Sequence, residues 1–302
     1  MSIVIWSQWD DLEVPANVKR LSPATTDLLT ATDEDLSEIT FYVPAYMGGK
    51  LALEHSRKMP KMQVMQLPNA GYDDAIEYLI PESVLCNARG VHDASTAELA
   101  IGLAITARRG FADFMLAQSK GEWAHKRYPS FSDTRIGIVG WGSIGQTLAG
   151  YLSSFDVEVV GFSRSGKDGA KTMDQLDSAL PSLDIVILVL PLNAESKDLF
   201  DARRLALLKD GATIVNVARG PIINTEALIA ELNSGRITAG LDVTDPEPLP
   251  AGHPLWSAKN CIIAPHVGGD STAFNRRGKK LVEDQIARFA SGEELINIVA
   301  RG

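Results

Sequence analysis

The chain has 302 residues, 45% of them hydrophobic, and a formal net charge of −9. That length suits one large domain or two ordinary ones, and the acidic balance excludes a general nucleic-acid surface, which needs clustered cations to displace counterions. The start, MSIVIWSQWDD, has no signal-peptide pattern, the longest apolar run, IVILVLPL at 185–192, is too short for a bilayer, and only Cys86 and Cys261 occur, so a cytoplasmic protein without membrane segment or disulfide framework is expected.

Continuous β-branched runs at 3–6, 39–43, 62–66 and 83–87 predict strands of a first unit. A helix follows. Ser95 and Glu98 read as an S-x-x-E capping box ahead of an apolar stripe through Leu99, Leu103 and Ile105. Further strands are predicted at 135–139, 157–162, 184–189, 212–216, 237–242 and 260–263, and the segment after 270 reads as a loop and a long amphipathic helix. Alternating strands and helical segments predict a doubly wound α/β architecture. The two long helices are the expected crossings, which puts residues 1–93 and 273–302 in one discontinuous domain and 94–272 in the other.

The run RIGIVGWGSIGQTLAGYL places Gly140, Gly142 and Gly145 in a G-x-G-x-x-G turn between a strand and a helix. Gly140 permits the tight turn, Gly142 lets a pyrophosphate approach the backbone, and Gly145 lets helix and strand pack closely; the helix N-terminus then offers amides to the phosphates. At the end of the next strand an NAD site usually carries a carboxylate for the ribose. Here stand Ser163, Arg164, Ser165 and Lys167. Hydroxyls and a guanidinium suit a 2′-phosphate, so NADP(H) is favoured, with NAD(H) as the alternative.

Three motifs lie at carboxyl ends of later strands: IVNVARGPIIN at 214–224, AGLDVTDPEPLP at 239–250 and NCIIAPHVGGDS at 260–271. Together with ASTAELA and NAGYDD they resemble the D-isomer-specific 2-hydroxyacid dehydrogenase family. The glyoxylate and hydroxypyruvate reductases are the nearest likeness, through the GLDVT-x-PEPLP-x-x-HPL phrase. The resemblance implies two Rossmann-like doubly wound domains, a flavodoxin-like substrate domain and an NAD(P)-binding Rossmann domain, with a cleft between them. It also implies a homodimer and an Arg–Glu–His catalytic set.

By that resemblance His266 is the acid/base that protonates the substrate carbonyl, Glu247 its partner, and Arg219 the grip on the substrate carboxylate. A carboxylate beside an imidazole favours the imidazolium, and a guanidinium fork suits a carboxylate. Amides of Ala70 and Gly71 would hold the carboxylate's other side. Thr96, Ser143, Ile144, Leu190, Pro191, Asn193, Val217, Ala218 and Gly268 would line the cofactor site, with Asp242 near the nicotinamide end. Tyr46 and Met47 are placed either against the substrate's side group or in local packing. His55, His92, His125 and His253 read as surface or structural residues, and no metal motif is present. The sequence departs from the family in HVGGDS after the acid/base, and in Lys126 and Arg127 beside Trp123 of the dimer loop. The implied reaction is reduction of a small 2-oxo acid to its D-2-hydroxy acid. The alternatives are a phosphoglycerate or phosphite dehydrogenase, or a nicotinamide-sensing binding protein on the same fold.

Overall fold

The computed structural model describes residues 2–302, and the chain divides into two compact units. One is Met1–His92 with Thr272–Gly302, the other Asp93–Ser271. Each crossing falls one residue earlier than the sequence reading placed it.

In the first unit, β1 (Ile3–Ser7), β2 (Val18–Leu21), β3 (Phe41–Val43), β4 (Val64–Gln66) and β5 (Val84–Cys86) are parallel and ordered 5-4-3-1-2. This is the flavodoxin-type order. The C-terminal strand Ile298–Arg301 adds antiparallel to β5. Neither that strand nor β2 was expected from the sequence. Both are edge strands: β2, VKRL, buries only Val18, and Ile298–Arg301 is at most half-buried, so neither has the burial of a strand covered on two faces. Tyr42, Phe41, Met65 and Leu85 are fully buried at the centre. The helix Ala273–Ser291 closes one face with Phe274, Val282 and Ile286. Buried Gln285 donates to Gln66 Oε1 and to the Ile296 carbonyl, both at 2.8 Å, so its polar amide enters the core with partners.

The second unit carries β6 (Thr134–Val139), β7 (Val157–Ser163), β8 (Lys171–Thr172), β9 (Ile185–Leu188), β10 (Thr213–Asn216), β11 (Thr238–Leu241) and β12 (Cys261–Ile263). All pair in parallel, in the order 12-11-10-9-6-7-8. That is the Rossmann order with one strand added, and its switch point lies between β6 and β9. Strand β8 was not expected; it has two residues at the sheet edge. Ile136, Ile138, Ile185, Ile187 and Val215 are completely buried, as continuous β-branched runs require in a sheet covered on both faces.

The helix Asp93–Arg108 packs against β11 so closely that a β-carbon on Gly240 would meet Leu103 Cβ at 2.9 Å. It starts two residues before the expected capping box. Asp93 supplies the acid of the first turn, and Ser95 is already helical and buried. The S-x-x-E spelling is therefore no cap here. Among the described residues no helix is long and apolar enough to cross a membrane.

Candidate active site

The glycine turn follows β6. Gly140 has φ +109°, a region open to glycine, and its missing side chain lets the turn touch the loop after β9: a β-carbon would lie 2.6 Å from the Val189 carbonyl oxygen. Gly145 is needed for space, since its β-carbon would meet the Gly140 carbonyl oxygen at 2.1 Å. Gly142 is the reverse case. Nothing lies within 4 Å of where its β-carbon would stand, and it caps the helix Ser143–Leu152. That open face beside first-turn amides, which have no partner inside their own helix, fits a pyrophosphate. The Ser143 hydroxyl donates to Asp93, so it is engaged within the protein and the residue's offer to a ligand is its amide.

At the end of β7, Ser163 Oγ accepts the Gly166 amide at 3.0 Å and closes a turn. Arg164, Ser165 and Lys167 are exposed on it. Trp141, the residue between the first two glycines, supports this turn from below. Its indole lies where a β-carbon on Gly161 would be, 2.2 Å from the ring, and its Nε1 donates to the Asp168 carbonyl at 3.0 Å. No expectation named Trp141, since an x position in a glycine motif carries no signal of its own.

The loops after β10, β11 and β12 bring three ionisable side chains to one end of the sheet. Buried Asn216 ends β10 and shapes the first loop: Oδ1 accepts the Ala218 amide at 3.0 Å and Nδ2 donates to the Arg219 carbonyl at 2.9 Å. Gly220 then presses the loop against its neighbour. A β-carbon there would lie 1.9 Å from the Thr244 carbonyl oxygen and 2.7 Å from the Asp245 nitrogen. In that neighbouring loop the Thr244 hydroxyl donates to the Pro246 carbonyl at 2.9 Å, and the Thr225 hydroxyl donates to the Asp245 carbonyl at 3.0 Å. Glu247 follows, with Oε2 3.4 Å from the Thr244 amide.

Glu247 Oε1 is 2.5 Å from His266 Nδ1. Burial would raise the Glu247 carboxyl, but the hydrogen bond from His266, the charges of His266 and Arg219, and the Thr244 amide together hold it below the usual carboxylate range. An ionised carboxylate only accepts, so Nδ1–H is the donor and Nε2 is the ring atom left for chemistry.

His266 itself sits at φ +55°, a left-handed conformation uncommon outside glycine, asparagine and aspartate. Asp242 compels it. The Asp242 carbonyl accepts the His266 amide at 2.7 Å, while its carboxylate accepts the Val267 amide at 2.7 Å and the Gly268 amide at 2.9 Å. Only 2% of Asp242 is exposed. Burial raises its carboxyl above the ordinary range despite the opposing pull of the two amides. The structure makes Asp242, expected near the nicotinamide end, the clamp that shapes the acid/base loop. Gly268 belongs to that clamp, since its β-carbon would stand 2.7 Å from Asp242 Oδ2.

Residues 101–268 match the sequence pattern of the D-isomer specific 2-hydroxyacid dehydrogenase NAD-binding domain. Over 262 residues the chain is 30% identical to a glyoxylate reductase of Thermofilum pendens, covering 81% of this chain and 76% of that one. It is 34% identical to glyoxylate/hydroxypyruvate reductase B of Citrobacter koseri, over 70% and 69% of the two chains. A D-isomer specific 2-hydroxyacid dehydrogenase from Xanthobacter autotrophicus, solved with NADPH and MES, superposes over 99% of this chain and 98% of its own, with a TM-score of 0.78 and 25% identity.

The chain belongs to the D-isomer specific 2-hydroxyacid dehydrogenases.

This 2-hydroxyacid dehydrogenase is accordingly an NAD(P)-dependent oxidoreductase. The residues expected at the dehydrogenase's cofactor site differ in their exposure. Thr96 is buried against the Gly268 position, and Val217 and Ala218, just before Arg219, are buried. Asn193 spends its side-chain oxygen on the amides of Glu195 and Ser196. Leu190 and Ile144 are half-buried and Pro191 is exposed. In the first unit, Ala70 and Gly71 are half-buried after β4, and the Ala70 carbonyl accepts from Asn87 Nδ2 at 2.7 Å. Tyr46 stacks on Phe274, with ring centroids 4.1 Å apart, and on His92; this is local packing, whereas Met47 is exposed.

The other histidines and both cysteines are outside this chemistry. His92 is buried with Nε2 2.7 Å from the Pro68 carbonyl, and His253 Nδ1 caps a short helix by accepting the Leu255 amide. Burial pushes the Cys86 thiol up to about 11 and the Cys261 thiol to about 12, so neither is a thiolate near neutral pH. Among the described residues no group of three or more His, Cys, Asp or Glu could hold a metal ion.

Proposed function

We propose that this chain reduces a small 2-oxo acid of the glyoxylate or hydroxypyruvate type to its D-2-hydroxy acid, with NADPH as the favoured reductant. The observation that carries the reading is the 2.5 Å contact between His266 Nδ1 and Glu247, beside a guanidinium whose loop is pressed onto the Glu247 loop at Gly220. The names of the relatives support the substrate class, and the NADPH bound to the Xanthobacter protein supports the cofactor.

Bound NAD(P)H supplies the hydride to the carbonyl carbon. His266 gives the proton on Nε2 to the carbonyl oxygen, and Glu247 stabilises the imidazolium before the transfer. Arg219 holds the substrate carboxylate and polarises the carbonyl. The amides of Ala70 and Gly71 are assigned to the other side of that carboxylate. Asp242 acts only through the loop, keeping His266 in its left-handed conformation. Arg164, Ser165 and Lys167 are assigned to the 2′-phosphate of the cofactor, a site where a carboxylate at position 163 would repel it.

The test is a panel of glyoxylate, hydroxypyruvate, pyruvate, 3-phosphohydroxypyruvate and phosphite, assayed at 340 nm in the appropriate direction with each cofactor. Turnover is expected with the first two, and kcat/KM is expected to be at least about tenfold higher with NADPH than with NADH. Turnover confined to 3-phosphohydroxypyruvate or phosphite would replace the substrate class. Tight cofactor binding without any turnover would mark a sensing protein instead.

A second copy of the chain is the proposed partner. Phe111, Met115 and Leu116 are exposed on the helix Phe111–Ser119, and Trp123 after it is 96% exposed, more apolar surface than a monomer usually leaves in one stretch. Light scattering should give twice 32.6 kDa, and Met115→Glu with Trp123→Ala should return one chain mass. A wild-type mass of 32.6 kDa at micromolar concentration would refute the dimer.

A further inference from the structure

We propose that Glu195 sets how strongly this chain prefers a 2′-phosphorylated cofactor, by competing with the phosphate for Arg164. The proposal rests on the NADP(H) reading and names the residue that tempers it. In the sheet order β9-β6-β7, the loops after β7 and β9 flank the glycine turn that follows β6. Arg164 leaves the end of β7, and Glu195 stands in the loop after β9. Arg164 Nη1 and Glu195 Oε2 are 3.9 Å apart, with the two side chains 84% and 77% exposed.

The carboxylate is presented by a built turn, not by a loose tip. Asn193 Oδ1 accepts the amides of Glu195 at 2.9 Å and Ser196 at 3.0 Å. Buried Ser196 accepts the Asn193 amide at 2.8 Å and donates to the Pro191 carbonyl at 2.8 Å. The turn is therefore closed from both sides, and its exposed product is a negative charge facing the guanidinium assigned to the phosphate.

An ion pair this long and this exposed is weak, so a phosphate dianion that engages the guanidinium fork displaces it. Glu195 then remains as a like charge beside the phosphate. A 2′-hydroxyl meets neither the competition nor the repulsion. The consequence is a penalty confined to the phosphorylated cofactor, which narrows the preference between the two and leaves NAD(H) usable.

The full chain would be titrated calorimetrically with 2′,5′-ADP and with 5′-AMP, the adenosine halves of the two cofactors, so that turnover plays no part. Glu195→Gln keeps the size and removes the charge. It should tighten 2′,5′-ADP about three- to tenfold, with 5′-AMP shifting by less than about twofold, and the gain should shrink as salt is raised. With Arg164→Ala already in place, the same substitution should recover less than about half of that gain, because no guanidinium remains to be released. An unchanged 2′,5′-ADP affinity in E195Q, while R164A alone weakens it, removes Glu195 and leaves the NADP(H) reading standing. Equal tightening of both nucleotides likewise removes the specificity role. Equal wild-type affinity for both nucleotides, with R164A silent, overturns the NADP(H) reading and this proposal with it.

Discussion

Asparagine in place of His266 should lower kcat by about 10²- to 10⁴-fold, the range for loss of a positioned general acid. The choice of asparagine follows from the backbone. Position 266 is left-handed, with φ +55°, and alanine there would add conformational strain to the loss of the imidazole. Asparagine tolerates that region, so the amides of residues 266–268 can stay on Asp242 and the loss isolates proton transfer. Cofactor affinity, read by fluorescence titration, should stay within about twofold, because the removed group acts on the transition state. The carboxylate of Glu247 is held below its usual range, so it stays ionised at neutral pH and remains ready to orient a cationic ring. A kcat within about threefold of the wild-type value would take His266 out of the mechanism.

Alanine at Gly220 is expected to cost both stability and activity. Here glycine is required by space and not by backbone conformation. The residue is in contact with the Thr244–Asp245 peptide, and a methyl group would sit 1.9 Å from a carbonyl oxygen that belongs to backbone and cannot rotate away. The two loops must separate. Overpacking of this kind costs about 1–3 kcal/mol, which for a protein of this size lowers Tm by roughly 3–10 °C. The loops that separate are the ones bearing Arg219 and Glu247, and misplacement by an ångström costs about 10²-fold in rate. Calorimetry and steady-state kinetics on G220A would measure the two effects. A variant with unchanged Tm and kcat/KM would show that contact between these loops does not align the site.

Much of this arrangement was legible in the chain. The β-branched runs of the second unit marked β6, β7, β9, β10, β11 and β12, because a parallel strand covered on two faces must be apolar throughout. The order of the motifs placed Arg219, Glu247 and His266 at the ends of consecutive strands. The edge strands β2 and β8 were not legible: β2 is half charged and β8 is two residues long, so neither carries the burial pattern that periodicity detects. Position-specific roles were legible only in part. Asp242 was an acid near a catalytic loop on either reading, and only the 2.7 and 2.9 Å amide contacts identify it as the loop's clamp. Ser95 and Glu98 spelled a capping box, but a helix that begins at Asp93 buries Ser95 instead.

The sequence by itself determined the doubly wound class, the phosphate-binding turn and the absent carboxylate at position 163, since each depends on residue type and on neighbours within a few positions; it pointed to Arg219, Glu247 and His266 only through the family resemblance. The tertiary structure decided what Trp141, Gly220, Asp242 and Glu195 do. Each acts on a segment distant in the chain: Trp141 on Gly161, Gly220 on Thr244, Asp242 on Gly268, Glu195 on Arg164. Such pairs come within a few ångströms only when parallel strands align their carboxyl ends, and spacing along the chain carries no record of that distance.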